Sequence, residues 1–350
     1  MKKTLCLLLS IALFSLPLSA RAEALTAYTL GAWLPYWEAE ESLDELGTLC
    51  GALDAAVAFA CIFDAADQPL MLPEAEDLLT AVTQACEGTG AIPYLSIVND
   101  VETAPNTYDN KSTALLSRLL ADDASISQHL EALIALIDLY HLQGLELDYE
   151  NLKGDTVLWA NYAKLISRLW DICARDAIRL RIVLPWDAPK YADLPAGPEY
   201  SVMCYNLYGY HSGPGPKADL AFLEETCALY QSQPYTTRMA FATGGFIWQD
   251  GKARSVTQTQ AEAQLQSAAV TPVRDAASQA LTATFQLEGE AVTLWYADAI
   301  TLAAWRGTCA AYGFTAFDLF RLGGNDVSSL VSFTQASAGE TPWCQQVITP

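Results

Sequence analysis

Eight short apolar segments, each rich in β-forming residues, alternate along the chain with segments of helical period. They cover residues 29–34, 55–63, 91–97, 144–149, 180–184, 200–205, 238–242 and 314–319. Several are apolar at every position, which is typical of strands covered on both faces in a parallel sheet. Regular alternation of strands and helices predicts an α/β fold with a parallel sheet, and eight repeats predict closure into a (β/α)8 barrel, the TIM barrel.

The segments between these strands predict amphipathic helices. Residues 125–140 carry apolar side chains at three- and four-residue spacing, residues 156–175 behave similarly, and residues 298–312 end before Gly313. Glycine suits a helix end because it adopts the left-handed conformation that terminates many helices. The spacing therefore places one helix after most of the strands, as a barrel requires.

The interval between the seventh and eighth strands, residues 244–294, is longer than one helix requires. Residues 282–294 alternate between apolar and polar and turn at Gly289, which is typical of a β-hairpin. We therefore predict a small insertion at about 245–294 within a single barrel domain that spans residues 23–350.

The first residues predict export from the cell. Lys2 and Lys3 precede an apolar run from residue 5 to about 16, and Ala20-Arg21-Ala22 supplies the small residues of a signal-peptidase site. The run is shorter than the ~20 residues that a membrane-spanning helix needs. We predict a signal peptide at residues 1–22 and a secreted protein, extracellular or in the cell envelope, with no membrane association after cleavage.

The net charge narrows the choice of partners. With 41 acidic and 19 basic residues, the formal charge is −22 at pH 7. A field of this sign repels phosphate backbones and anionic lipid, so we expect no nucleic-acid or membrane-surface binding. A neutral or cationic substrate is easier to accommodate, and we expect a monomer.

Cysteine and histidine usage argues against a metal site. The nine cysteines, of which Cys6 lies in the signal peptide, form no CxxC pair, and three histidines are too dispersed for a three-histidine site or a serine–histidine triad. We expect no metal and no cofactor. Cys50 and Cys86 each follow a predicted helix and could be bridged, while buried free thiols are an equal alternative for Cys61 and Cys204.

The fourth predicted strand carries acidic residues at every second position. A strand period of two places Glu146, Asp148 and Glu150 on one face and the apolar residues between them on the other. A solvated edge strand would explain this pattern, but a strand between two helices has no wet face. Buried carboxylates persist where partners or function compensate, as at the mouth of a barrel. We expect the ionised Asp148 to keep a proton on Glu150, as a general acid requires.

This segment resembles glycoside hydrolase family 18, whose fourth strand carries the pattern D-G-x-D-x-D-x-E. Gly144, Asp148 and Glu150 match that pattern, while Gln143 and Glu146 replace its first two aspartates. Further resemblances follow in order along the mature chain: AWLPYW at 32–37, MCYN at 203–206 with HSGPGP at 211–216, WYAD at 295–298 and FRLGGND at 320–326. The last two are similar to endings found in branches that include spore and cell-wall hydrolases.

The resemblance implies hydrolysis with retention, in which the 2-acetamido group of the substrate attacks the anomeric carbon. Glu150 would protonate the leaving oxygen and then activate water, Asp148 would orient the acetamido group, and Tyr205 would hydrogen-bond its oxygen. The substrate would be a β-linked glycan containing N-acetylglucosamine: a chitin oligosaccharide, peptidoglycan or an N-glycan core. A catalytically weak or inactive, chitinase-like carbohydrate-binding protein is the alternative.

Departures from the family pattern bear on substrate binding. Glu146 is one methylene longer than the expected aspartate, Asn206 lacks a charge that would contact sugar, and Phe320 stands where a tryptophan floor is usual. Four aromatic residues just beyond strand ends are further candidates for the cleft: Trp37, Trp186, Tyr208 and Trp248. Asp318 shares a face with Phe320 and adds an acid to the barrel interior, for which Arg181 is either a counter-charge or an exposed residue.

Overall fold

The computed structural model describes residues 28–287 and 289–335. The predicted signal peptide, with Cys6, and Cys344 lie outside these ranges.

The strands are β1 (Thr29–Pro35), β2 (Ala55–Asp64), β3 (Pro69–Leu70), β4 (Ile92–Ala104), β5 (Thr107–Asp109), β6 (Gly144–Asp148), β7 (Arg179–Pro185), β8 (Glu199–Met203), β9 (Thr236–Ala242), β10 (Gly244–Gln249), β11 (Lys252–Val256), β12 (Val273–Arg274), β13 (Leu281–Leu287), β14 (Glu290–Ala297) and β15 (Ala316–Phe320). The helices are α1 (Ala39–Leu49), α2 (Pro73–Cys86), α3 (Thr113–Leu119), α4 (Asp123–Tyr140), α5 (Thr156–Arg175), α6 (Leu220–Tyr230), α7 (Gln258–Ala268), α8 (Ala299–Ala311) and α9 (Val327–Gln335).

Eight parallel strands close into a barrel surrounded by helices. Their order around the barrel is β1, β2, β4, β6, β7, β8, β9 and β15, and β15 pairs with β1 so that Asp318 stands opposite Gly31. Each barrel strand overlaps one of the eight predicted segments. The predicted (β/α)8 barrel is confirmed, and its fourth strand is β6.

Apolar side chains form two separate layers of the barrel. The larger layer lies between the strands and the helices and includes Leu145 and Leu147 of β6, while a smaller cluster inside the barrel includes Trp33, Val57 and Val183. The alternation along β6 therefore sends its leucines outward and its acids inward, because successive side chains of a strand point to opposite faces.

Tyr149, which follows β6, continues the outward-facing set. Its hydroxyl lies 2.8 Å from Nε2 of His129 on α4. Burial lowers the pKa of His129 to about 4, so its ring is neutral at pH 7. The histidine is thus a packing residue between α4 and the barrel.

The predicted insertion between the seventh and eighth barrel strands is larger in secondary structure than a single hairpin. It forms a five-stranded antiparallel sheet in the order β11, β10, β14, β13 and β12, with α7 packed against it. Phe285, Leu294 and Leu265 belong to its own apolar cluster. Gly245 permits the close pairing of β10 and β14, because a Cβ there would stand 2.6 Å from Cα of Tyr296.

Strand β4 extends well beyond its predicted end at residue 97. It leaves the barrel at its carboxyl end and forms an antiparallel hairpin with β5, with Val101 opposite Asp109. The extension contains Asn99, Asp100 and Glu102, whose polarity hides it from an apolar pattern. This β4–β5 hairpin stands beside the carboxyl end of β6, where the acidic row ends.

The seven cysteines in the described ranges are buried free thiols. The bridge considered between Cys50 and Cys86 is absent, although the two residues are neighbours, and burial followed by the Cys50 thiol raises the pKa of Cys86 to about 12. Cys61 and Cys204 are buried in apolar surroundings, as the alternative expectation held. Within the described ranges, no helix combines the length and apolar character needed to cross a membrane.

Candidate active site

The acidic row of β6 lies inside the barrel. Glu146 and Asp148 are buried, and Glu150 follows the end of the strand with 18% of its side chain exposed. Gly144, which precedes the row, faces the ring of Tyr94, and a Cβ there would stand 2.6 Å from it. The three carboxyls thus rise from the barrel interior to its carboxyl-terminal mouth, where barrel enzymes carry their catalytic groups.

Glu146 is held by partners from other strands. The indole N–H of Trp33 on β1 donates a 2.6 Å hydrogen bond to it, and Nη1 of Arg181 on β7 lies 3.7 Å from its second carboxylate oxygen. Burial raises the pKa of Glu146 to about 7, although Arg181 and Trp33 act in the opposite direction. The Glu146 side chain is one methylene longer than aspartate, and its carboxylate contacts Trp33 and Arg181 rather than Asp148.

Asp148 is a buried carboxyl with an unpaired oxygen. Its Oδ1 has no hydrogen-bond partner among the described residues. Burial, followed by the charges of Glu150 and Glu146, raises the pKa of Asp148 well above its usual value. A buried polar atom without a partner costs about 1–3 kcal/mol, so a water or a ligand that donates a hydrogen bond at the barrel mouth would stabilise Asp148.

Glu150 is fixed through its backbone. The side-chain amide of Asn99, in the overhang of β4, accepts a 2.9 Å hydrogen bond from the Glu150 N–H and donates a 3.1 Å bond to its carbonyl. The Glu150 carboxylate lies 2.5 Å from the ammonium of Lys111, which follows β5. Sequence reasoning missed both residues. The position of Asn99, a polar residue just beyond an apolar strand, is a weak indication of a site residue, whereas no pattern in the sequence indicates Lys111.

The direction of the pKa shift at Asp148 differs from the sequence expectation, which gave the charge to Asp148 and the proton to Glu150. Burial, followed by the charges of Glu150 and Glu146, raises the pKa of Asp148 and so favours a proton on this deeper carboxyl. The expectation applied burial to Glu150, whereas the structure buries Asp148 more deeply.

Aromatic side chains form a floor beside the acidic row. Tyr205 stacks on Phe320 with ring centroids 5.6 Å apart, and Phe320 contacts Trp33 and Phe59 edge-to-face at 5.9 Å each. Burial, followed by the charges of Asp148 and Glu150, raises the pKa of Tyr205 well above its usual value, so its hydroxyl keeps its proton. Phe320 therefore occupies a floor position, and Phe59, missed in the sequence, extends it.

Trp37 lies at the exposed edge of this floor. Its ring contacts Phe59 edge-to-face at 5.7 Å, and 51% of the residue is exposed. It is thus available for contact with a ligand at the barrel mouth.

A cavity of about 330 Å³ opens next to Glu150. Six of its lining residues are Glu150, Trp186, Asp187, Tyr191, Met203 and Asn206. Its size is at the lower end of the ~300–1,000 Å³ typical of ligand pockets. Two of the predicted binding residues, Trp186 and Asn206, therefore share a pocket with the end of the acidic row.

The other two predicted aromatics lie elsewhere. Trp248 is only 3% exposed and donates its indole N–H to the carbonyl of Ser212. It therefore packs the insertion against the loop after β8 and does not face the cleft, as the sequence had predicted it would. The ring of Tyr208 covers Gly215 in the same loop and does not line the cavity beside Glu150. The position beyond a strand end correctly indicated a loop for Tyr208, whereas Trp248 lies on β10 of the insertion.

A buried ion network supports the site from below. Asp318 accepts hydrogen bonds from Arg238 at 2.9 Å and from Ser201 at 2.6 Å, and Arg181 lies 3.5 Å away. Burial would raise the pKa of Asp318, but Arg181 and Arg238 lower it below its usual value. Asp318 is thus an interior acid as predicted, Arg181 is a buried counter-charge, and Arg238 is a second one that the sequence did not reveal.

A buried carboxylate helps to hold the turn after β15. Glu45 on α1 accepts hydrogen bonds from the backbone N–H groups of Gly323 and Asn325 and from the Asn325 amide, at 2.7–2.8 Å. Gly323 has a φ of 95°, a region that favours glycine. The motif at 320–326 therefore fixes the end of the strand that carries Phe320.

These features define a class: a (β/α)8 barrel with carboxyl groups converging at the mouth of its fourth strand, beside an aromatic floor and a cavity. Comparison with known protein families and with curated protein sequences finds no match. Solved structures of the same fold do match.

The spore cortex-lytic enzyme SleL from Bacillus cereus matches with a TM-score of 0.72 and 17% identity over 88% of this chain and 74% of that one. A chitinase from Chromobacterium violaceum matches with a TM-score of 0.73 and 16% identity over 89% of this chain and 100% of that one. A mutant class V chitinase from Nicotiana tobaccum in complex with NAG4 matches with a TM-score of 0.69 and 12% identity, over 88% and 99% respectively. The chain thus has the chitinase-like barrel fold of glycoside hydrolase family 18, which confirms the resemblance at the level of the fold.

Proposed function

We propose that the protein is a glycoside hydrolase that cleaves β-linked glycans containing N-acetylglucosamine, with retention and with assistance from the substrate's acetamido group. The observation that carries the proposal is the unpaired, buried Asp148 carboxyl next to Glu150 at the barrel mouth. An acetamido N–H is the donor that this oxygen lacks. The chitinase and cortex-lytic neighbours, one of them bound to NAG4, support the same class of substrate.

Asp148, Glu150 and Tyr205 each have one role in the proposed reaction. An acetamido N–H that donates to Asp148 stabilises its ionised form, so the proton shared by the pair moves to Glu150. Glu150 then protonates the glycosidic oxygen while the acetamido oxygen attacks the anomeric carbon, which breaks the glycosidic bond and forms an oxazolinium ring. Tyr205 donates a hydrogen bond to the acetamido oxygen. Glu150, now a carboxylate, takes a proton from the water that opens the ring.

The aromatic floor and the cavity are the two proposed binding regions for the substrate. Sugar rings stack on aromatic faces, and Phe320 and Trp37 offer such faces beside the acidic row, while Trp186 and Asn206 lie in the cavity next to Glu150. We propose that the cleaved bond lies where these two regions meet, since Glu150 lines the cavity and its charge reaches Tyr205 of the floor. Chitin oligosaccharides, peptidoglycan and N-glycan cores all carry the required sugar.

The test measures chromophore release from a chitobioside. The wild type is expected to release it, Glu150→Gln to lose activity, and Asp148→Asn to lose about 10²–10⁴-fold while keeping its circular dichroism spectrum. A glucosamine analogue without the acetyl group is the matched substrate control and should not be cleaved. Near-normal rates for Asp148→Asn would remove the acetamido-assisted mechanism, and a glycan panel read by mass spectrometry would identify the polymer.

A carbohydrate-binding protein without turnover is the second candidate. Two observations favour it: the contact between Lys111 and the proposed acid, and the engagement of Glu146 by Trp33 and Arg181. Calorimetry with a chitin oligosaccharide separates the candidates, because heat of binding without products from the wild type would select the binding protein.

We also propose export of the protein and action on a glycan outside the cytoplasm, since residues 1–22 have the pattern of a signal peptide. N-terminal sequencing of protein recovered from the culture medium or envelope should begin at about residue 23. An intact N-terminus retained in the cytoplasm would overturn this assignment.

A further inference from the structure

The β4–β5 hairpin brings a cation against the proposed catalytic acid. Nζ of Lys111 lies 2.5 Å from Oε1 of Glu150, and the carboxylate is the more enclosed member of the pair, with 18% of its side chain exposed against 49% for the lysine. A general acid must hold a proton during catalysis, whereas an adjacent ammonium favours the deprotonated form. The contact therefore bears directly on when Glu150 can act.

The backbone holds Lys111 in this position. Lys111 has a φ of 53°, in the left-handed region that non-glycine residues adopt only where their surroundings fix them. Its N–H donates a 2.6 Å hydrogen bond to Asp100, and its carbonyl accepts a 3.1 Å bond from the side chain of Asn151, the residue after Glu150. Thr113 donates a further bond to the Asn151 carbonyl at 3.2 Å. The hairpin and the segment that carries Glu150 are thus pinned to each other on both sides of the ion pair.

The titratable groups around Glu150 come from four parts of the fold. Asp148 lies on β6, Asp100 on β4, Lys111 after β5 and Tyr205 after β8. Burial alone would lower the pKa of Lys111, but Glu150 raises it above its usual value, with smaller contributions from Asp148 and Asp100. Lys111 also lowers the pKa of Asp148, against the larger effect of burial. The ammonium is therefore the counter-charge for a group of three acids.

We propose that Lys111 is a positioning residue that sets the pH range over which Glu150 can deliver a proton. The ammonium stabilises the carboxylate that forms when Glu150 protonates the leaving oxygen, and it keeps that carboxylate in place to accept a proton from water. The same charge promotes loss of the proton to solvent as the pH rises, so turnover is confined to a more acidic range than the acid pair alone would allow. This role rests on the proposed hydrolase function.

The first test is the pH profile of kcat/KM on the chromogenic chitobioside. Lys111→Met is expected to move the alkaline limb upward by about 0.5–1 pH unit and to lower the rate on the acidic side several-fold, because it removes one nearby positive charge. Lys111→Arg should retain the wild-type limb. Lys164→Met is the matched control, since Lys164 is 53% exposed in its side chain and contacts a carboxylate, Asp123, on the outside of the barrel.

The second test needs no turnover. Lysines are reductively methylated with a ¹³C label, which keeps their charge, and the Lys111 signal, assigned by its loss in Lys111→Met, is titrated by NMR in the wild type and in Glu150→Gln. The Lys111 midpoint is expected to fall in Glu150→Gln, and an unchanged midpoint would overturn the proposal. A wild type without any hydrolysis would overturn the proposed function together with this role. If the wild type hydrolyses the substrate and Lys111→Met has the same alkaline limb in its kcat/KM profile, only the proposed role of Lys111 is overturned.

Discussion

Trp33 and Glu146 are joined across the barrel by a 2.6 Å hydrogen bond from the indole N–H to the carboxylate. One residue lies on the first barrel strand and the other on the fourth, and both are buried. The bond ties the base of the acidic row to the aromatic floor, because the Trp33 ring also contacts Phe320.

Trp33→Phe should destabilise the protein by removing this donor from a buried carboxyl. At pH 8, above the pKa of about 7 that burial gives Glu146, we expect the free energy of unfolding in urea to fall by about 1.5–3 kcal/mol. Trp305→Phe is the control, since its indole donates at 2.8 Å to the neutral carbonyl of Ser278 and should cost less, about 0.5–1.5 kcal/mol. Equal losses in the two variants would show that the charge on Glu146 adds nothing.

Glu146 should make stability depend on pH. Burial raises the pKa of Glu146 from 4.5 to about 7, so the folded state holds its proton over a range in which the unfolded state has lost it. The stabilisation is complete below pH 4.5 and disappears as the pH rises toward 7.

We therefore expect Glu146→Gln to weaken the decline of unfolding free energy between pH 4.5 and 7, by an amount on the order of 2–3 kcal/mol over the range. Urea titrations at several pH values measure it. Parallel curves for the variant and the wild type would contradict the assignment to Glu146.

Asp318 should be far more important for stability than a surface acid with similar partners. Asp318→Asn removes the carboxylate that the buried Arg181 and Arg238 share, and we expect a loss of about 3 kcal/mol. The loss is limited because Arg238 keeps its contact with Asp54 and Arg181 keeps its contacts with Glu146 and Glu199. Asp123→Asn removes an exposed partner of Lys164 and Arg168 on the outside of the barrel and should cost no more than about 1 kcal/mol. Comparable denaturation midpoints would refute a structural role for the buried network.

Gly31 and Gly47 should respond in opposite directions to alanine. A Cβ at Gly31 would overlap the Asp318 carboxylate and stand 3.2 Å from Arg238, so Gly31→Ala is expected to lower the melting temperature. Gly47 lies within α1 and a Cβ there would meet nothing within 4 Å, so Gly47→Ala should stabilise the protein by about 0.5–1 kcal/mol. Thermal unfolding of both variants provides the measurement, and a neutral Gly31→Ala would be inconsistent with the network's geometry.

Tyr205→Phe should slow turnover more than it weakens binding. The variant keeps the ring that stacks on Phe320 but loses the hydroxyl proposed to hold the acetamido oxygen in line with the anomeric carbon. We expect kcat to fall about 10²-fold with little change in KM, because the nucleophile is less well oriented. Tyr208→Phe, outside the cavity beside Glu150, should match the wild type. A change confined to KM would assign Tyr205 to ground-state binding.

Patterns within single segments predicted a large part of the fold and of the site. The eight strands, the insertion and the inward face of β6 follow from apolar runs and from a period of two, which neighbouring residues determine among themselves. The family resemblance placed Phe320 at the floor, and the period of two then placed Asp318 on the same face of its strand. The position beyond a strand end placed Trp248 in the cleft incorrectly, because the loop after β8 and the insertion cover that side chain together.

The sequence by itself determined a closed α/β barrel with a row of acids on its fourth strand, since hydrophobic burial and strand alternation are local rules. Only the tertiary structure decided the environment of those acids: Trp33 and Arg181 at Glu146, the unpaired oxygen of Asp148, and Asn99 and Lys111 at Glu150. These partners come from strands and loops far apart in the chain. Protonation depends on burial and on charges within a few ångströms, and those distances exist only once the barrel has closed.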